Sequence, residues 1–218
     1  MLEDCILYVD AEAIVIDKPA GLPVDTPRAG GDSVALRADE LKLGFQREPV
    51  AMHRLDQDTS GCLLLARNPK ARAKFQQAFE SGRVEKTYLA VIAGVTNGAA
   101  GVIDLPLAKF STAEAGWRMV PDDKGKSAQT RWKRLGEREG LSLIEFKPLT
   151  GRTHQIRVHA ARGLGAAIVG DPVYGSGGGP MLLHSWRIVV PRGAKPPIDV
   201  IAPVPDTFGL WLDFINAA

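Results

Sequence analysis

Residues 50–70, VAMHRLDQDTSGCLLLARNPK, constrain this chain more than any other stretch, because an extended apolar run here carries charged side chains into a turn. His53-Arg54-Leu55-Asp56 leads into the turn formers Gln57-Asp58-Thr59-Ser60-Gly61 and then into apolar Cys62-Leu63-Leu64-Leu65-Ala66. With Met52 to Asp56 extended, side chains alternate, so Arg54 and Asp56 share one face and His53 and Leu55 the other. A cation and a carboxylate then look the same way. An exposed ion pair beside a hairpin turn is the plain alternative.

A chain of 218 residues with 45% apolar side chains has enough material for a core, as one large domain or two small ones. Its net charge of +2 conceals an asymmetry. Residues 1–50 carry 5 basic and 10 acidic groups, whereas residues 51–218 carry 22 and 15. The later part therefore suits a polyanion, with an ordinary mixed surface as the alternative. Cys5 and Cys62 lie far apart without metal-ligand spacing, so neither a zinc site nor a disulfide framework is expected, and both read as reduced thiols. The amino terminus has no basic leader and no apolar run is long enough to cross a bilayer, which points to a cytoplasmic protein without a membrane span.

Ile6–Val9 and Ala13–Ile16 read as two strands joined by a tight turn, and Pro19, Gly21 and Pro23 then break the ladder. Lys18 reads as an exposed turn lysine, with a cleft-facing role as the alternative. Ser33 is expected to cap a helix over Val34–Leu43 ended by Gly44. Asn68-Pro69 opens a second helix that buries Ala71, Phe75, Ala78 and Phe79 and stops at Ser81-Gly82.

The next strand, Arg83 to Gly94, puts Lys86 and Tyr88 on one face and Thr87 and Leu89 on the other. From Val102 to about Arg138 a less regular insert is expected. It holds Arg118, Lys124, Lys126, Arg131, Lys133, Arg134 and Arg138 interleaved with Trp117 and Trp132, a pattern fit for RNA phosphates and bases. Alternatively Thr130–Lys133 and Leu141–Phe146 are paired strands with charged outer faces.

Thr153 is a candidate cap for a helix packing Ile156, Ala160 and Leu164 and closed by Gly163 or Gly165. His154 and Arg157 share a neighbouring face. His154 and His159 lack the arrangement of a zinc helix, so no metal is expected. The glycine-rich 175–179 lacks the Lys-Ser/Thr ending of a phosphate loop, so no nucleotide cofactor is expected either. Residues 191–205 are proline-rich and extended, and a short packed helix ends the chain.

Six segments together, DKPAGLPV, HRLDQDTSG, EKTYLAVIAG, TGRTHQIRVH, GDPVYG and LLHS, resemble the motifs of RluA-type pseudouridine synthases, in family order. Asp17 stands where Asn is usual, and Ser185 where Ala is common. The resemblance implies an α/β fold of the α+β type, with a mixed, mostly antiparallel sheet, flanking helices and a central RNA-binding cleft. It also implies one catalytic domain over 1–218, and because the chain begins almost directly with that domain no amino-terminal S4 module is expected; a monomer acting on a ribosomal or transfer RNA stem-loop without a cofactor is the accompanying expectation.

The resemblance makes Asp56 the nucleophile, Tyr88 the base-facing tyrosine and Arg157 the ion-pair partner of Asp56. It has Arg54 occupy the space of an everted uridine and Leu183 pack on the target base. Arg83, Lys86 and Arg152 are further candidates for phosphate contacts. Burial alone raises a carboxyl pKa and an adjacent guanidinium lowers it, which is the chemical reason for pairing Asp56 with Arg157. Two rivals are a catalytically idle RNA-binding protein on the same scaffold and a carboxylate-dependent hydrolase or nucleosidase.

Overall fold

The computed structural model describes residues 1–112 and 116–216. In chain order the strands are β1 (Ile6–Val9), β2 (Ala13–Lys18), β3 (Val50–Ala51), β4 (Ser60–Ala66), β5 (Glu85–Ile92) and β6 (Ala100–Asp104). They continue as β7 (Leu107–Thr112), β8 (Gly116–Pro121), β9 (Gln129–Arg138), β10 (Leu141–Pro148), β11 (Leu183–Arg192) and β12 (Lys195–Ile201). The α-helices are α1 (Pro69–Glu80), α2 (Gln155–Val158) and α3 (Leu212–Asn216). The class is mixed α/β, with mostly antiparallel strand pairing and few helices, as expected. Residue contacts divide the chain into two compact units: residues 1–86 with 184–203, and residues 87–183 with the segment from 204 on.

In the first unit the strands run in the order β1-β2-β4-β11, with β12 added to β11 and β3 to β4. Every residue of β4 is buried, which is why its sequence is continuously apolar instead of alternating. Ala71, Phe75 and Ala78 of α1 pack over one face against Ala13, Val15, Cys62, Leu64, Ile188 and Val190. The helix begins as expected: the Asn68 side chain accepts the Ala71 amide at 2.9 Å and Pro69 occupies the first turn.

β4 and β11 are parallel, pairing Ser60 with His184 and Gly61 with Ser185. Gly61 has φ +103°, and a Cβ there would lie 2.3 Å from the Ser185 carbonyl oxygen. Only glycine admits the two backbones at this distance, so the Ser-Gly that follows the charged turn is a packing requirement.

Three expectations for this unit need correction. Residues 34–43 do not form an α-helix: the Ser33 hydroxyl does accept the Leu36 amide at 3.1 Å, but the chain then makes turns and a short 3-10 helix over Ala38–Leu41. Leu43 at φ 47° and Gly44 at φ 83° terminate it. The strand before the charged turn is only Val50–Ala51, so Arg54 and Asp56 belong to a loop, although Leu55 is buried and Arg54 exposed as alternation requires. Lys18 is not an exposed turn residue. It ends β2, fully buried.

The second unit orders its strands β5-β10-β9-β6, all antiparallel, with β7 and β8 as a separate hairpin. The insert expected to be irregular is thus largely strand. Arg118 lies on β8 and Arg131, Lys133, Arg134 and Arg138 on β9, with Lys133 opposite Glu145 and Trp132 opposite Phe146, which favours the paired-strand alternative, while Lys124 lies in a turn and Lys126 at an isolated bridge. Trp132 is buried, while Trp117 on β8 is 39% exposed.

The helix after TGRTH is capped at His154, not Thr153. His154 takes a left-handed φ of 52°, and α2 widens into a π-turn over His159–Gly163. His159 is tied down, its Nε2 donating to the Leu105 carbonyl at 3.1 Å and its Nδ1 2.8 Å from the Thr130 hydroxyl. Residues 195–201 are extended as β12, where Pro196 and Pro197 are accommodated, and the tail forms a 3-10 turn leading into α3. Among the described residues no helix is long and apolar enough to cross a membrane.

Candidate active site

Asp56 sits in the loop between β3 and β4 of the first unit, partly buried, and its carbonyl accepts the Thr59 amide at 3.1 Å to close a turn. The loop is held from below by Lys18. The Lys18 ammonium donates to the carbonyls of Pro19 and Leu22 at 2.7 Å and to that of Gln57, the residue after Asp56, at 3.0 Å. The Gly21 amide adds a bond to the same Gln57 carbonyl at 2.9 Å.

Burial lowers the Lys18 pKa to about 8, with Asp58, Asp56 and Asp17 opposing that fall, so the side chain is cationic at neutral pH. Three carbonyl oxygens surround it. A buried ammonium is tolerated only when its donors are met in this way, and the consequence is a rigid start to the turn that carries Asp56.

Arg54, two residues earlier, has an exposed side chain whose Nε lies 3.3 Å from Asp25 Oδ2. Beyond the turn, the Ser60 hydroxyl lies 2.9 Å from Nδ1 of His184, a buried ring whose pKa is lowered to about 4 by burial. His53 is also held neutral, burial taking it to about 3. Its Nε2 accepts the Leu64 amide and its ring stacks on Phe79. Cys62 is buried and its thiol is pushed up to about 12, chiefly by burial, so it stays protonated and unreactive.

In the second unit Tyr88 is 8% exposed and lies opposite Phe146 across the β5–β10 pair. Arg157 on α2 is buried and makes a two-pronged ion pair with Asp171, Nε to Oδ2 and Nη2 to Oδ1 at 2.8 Å each. The Tyr174 ring lies 5.2 Å from the Arg157 guanidinium carbon, and its hydroxyl accepts the Met119 amide at 2.9 Å and lies 3.0 Å from His154 Nδ1. Leu183, first residue of β11, is buried.

The remaining candidate cations make local contacts. Arg83 is exposed and donates to the Ser81 hydroxyl at 2.8 Å, and Arg152 donates to the Ser127 carbonyl at 2.9 Å. Lys86, half-buried, has its pKa lowered by burial. Lys18, which the sequence presents first as an exposed turn lysine, and Asp171 make contacts that the sequence does not announce. The signals for the residues themselves were present: Lys18 closes the buried run Ala-Ile-Val-Ile, and Asp171 is the only acid between Glu145 and Asp199.

Residues 12–162 match the family model described as RNA pseudouridylate synthase. An uncharacterised RNA pseudouridine synthase of Zymomonas mobilis is 52% identical over 207 residues, covering 93% of this chain and 94% of that protein. The mitochondrial pseudouridylate synthase RPUSD4 of Xenopus tropicalis is 34% identical, over 92% of this chain and 65% of its own length. A ribosomal large subunit pseudouridine synthase D of Borreliella burgdorferi is 32% identical, covering 95% and 67%. Among solved structures, human RNA pseudouridylate synthase domain containing 4 superposes with a TM-score of 0.81 at 26% identity, covering 99% of this chain and 94% of that one.

Proposed function

Because the chain belongs to the RNA pseudouridylate synthase family, we propose that it isomerises chosen uridines of ribosomal or transfer RNA, with Asp56 as nucleophile. The observation that carries this reading is the support built under Asp56: a fully buried ammonium and a glycine amide both fix the carbonyl of the next residue. Asp56, Tyr88 and Arg157 also fall within the matched segment 12–162.

The reaction breaks the N1–C1′ bond of uridine, turns the uracil, and joins C5 to C1′. C5 loses a proton and N1 gains one, so atoms balance without a redox partner. The Asp56 carboxylate adds to the ring, attacks C1′ or promotes elimination. Each route requires it ionised, which is the part assigned to the Arg157 guanidinium. Tyr88 is assigned to hold the uracil face and Leu183 to pack on the base.

A uridine in a stem-loop must leave its stack to be reached, and Arg54, long and exposed, is assigned to the vacated space. Arg83, Lys86 and Arg152 are assigned to phosphates. Relatives named for the ribosomal large subunit support ribosomal RNA as the substrate, and cytoplasmic, monomeric action is the simplest accompanying assignment.

Mapping pseudouridines in cellular RNA with and without the gene identifies the target. Sites that vanish on deletion and return with the intact protein, at unchanged RNA mass, support the reading. Free uracil or cleaved RNA from the purified protein favours the hydrolase instead.

A further inference from the structure

Two nitrogens of the Arg157 guanidinium are occupied within its own unit. Its Nε and Nη2 meet the two oxygens of Asp171, and the side chains are 6% and 0% exposed. Asp171 is itself immobilised. Its Oδ1 also accepts the amides of Val173 at 2.8 Å and Tyr174 at 3.0 Å, and its carbonyl accepts the Gly175 and Gly177 amides at 3.2 and 3.1 Å. The preceding Gly170 has φ +78°, and a Cβ there would lie 2.1 Å from the Pro180 carbonyl oxygen, so the turn has little room to shift.

Burial pushes the Asp171 carboxyl up, and the Arg157, Tyr174 and Val173 hydrogen bonds more than reverse it, leaving its pKa below the usual carboxylate value. Buried ion pairs of this kind add little net stability compared with apolar side chains of similar size. What the pair does supply is orientation. A guanidinium on a long, flexible stem is fixed in plane and azimuth by a two-point contact.

We propose that Asp171 is a positioning residue for the isomerisation, fixing the plane and azimuth of the Arg157 guanidinium. This rests on the assignment of Arg157 to Asp56 made above. Asp171 also carries a negative charge, which weakens the field Arg157 exerts, so orientation and charge make opposite predictions when that charge is removed. Lys18 and the acids that act on it, Asp58, Asp56 and Asp17, are unchanged in every variant considered, as are His154 and Tyr174.

The test measures tritium release from RNA labelled at uracil C5 by the full chain, as kcat, KM and pH profile. The variants are Asp171→Asn, Arg157→Met, their double mutant and Arg157→Lys. Asp171→Asn retains an acceptor for the two turn amides but presents an NH2 group to one guanidinium nitrogen. Positioning predicts that kcat falls about tenfold or more while KM for RNA stays within about twofold. The acidic limb of the pH profile moves to higher pH, because Asp56 loses its guanidinium.

The double mutant is no slower than Arg157→Met, since Asp171 acts through Arg157. Arg157→Lys also loses kcat, because an ammonium cannot span two carboxylates in one plane, and this variant keeps the test alive if Asp171→Asn does not fold. An Asp171→Asn enzyme with unchanged kcat, an acidic limb moved to lower pH, or an additive double mutant overturns the positioning role. Full activity in Arg157→Met instead overturns the assignment of Arg157 itself.

Discussion

The Lys18 ammonium lies 3.0 Å from the carbonyl oxygen of Gln57, a contact that joins the end of β2 to the residue following Asp56. Two further carbonyls complete its shell. Lys18→Met fills the same volume but leaves these carbonyls without the donor, at a cost of about 3 kcal/mol in stability. Urea unfolding measures that loss. In the folded variant kcat for pseudouridine formation drops more than KM rises, because the loop carrying Asp56 is less well fixed.

Gly61→Ala tests the parallel contact between β4 and β11. Its Cβ would fall 2.3 Å from Ser185 oxygen and 2.9 Å from His184 Cε1, at a positive φ. Both strands must separate. A loss of about 3 kcal/mol or more is expected from steric clash and strain together, read as a lowered denaturation midpoint.

Phe75→Ala tests the packing of α1. The ring is 1% exposed within the cluster that includes Val15, Cys62 and Ile188. The expected loss is about 3–5 kcal/mol by the same measurement.

Acid sensitivity follows from two neutral histidines. His184 is fully buried with its pKa lowered to about 4, and His53 is lowered to about 3, in both cases chiefly by burial. The unfolded chain therefore binds protons from about pH 6.5 downward that the folded chain refuses, so stability falls as pH drops from about 6.5 toward 4. For His184 the loss approaches roughly 3 kcal/mol at pH 4. His184→Gln flattens this part of the stability curve, which thermal unfolding between pH 4 and 7 records.

The sequence announced the elements whose signals are local. Asn68-Pro69 and Ser81-Gly82 bracket α1 because capping and termination are decided within one turn of chain. The same reasoning failed for residues 34–43, where helix formers meet a left-handed Leu43 and only a 3-10 segment survives. The basic insert was read as irregular because β6, β7 and β8 hold exposed polar and aromatic residues that mask strand alternation.

Asp56, Tyr88 and Arg157 stand out as candidates through motifs, but the contacts that hold the Asp56 loop and the Arg157 side chain do not show in the sequence. Lys18 and Gln57 are 39 residues apart and Arg157 and Asp171 are 14 apart, so neither contact follows from helical or strand spacing. Lys18 beside Pro19 looks like a turn residue until the carbonyls that enclose it are known.

Whether a single ionised acid at position 56 starts the isomerisation is decided by Asp56→Asn. With C5-tritiated RNA at saturating concentration, the variant should bind RNA with near-normal affinity and release no tritium above background, while the parent protein releases it to completion. Tritium release by Asp56→Asn at a rate comparable to the parent would mean that the carboxylate at position 56 does not start the reaction.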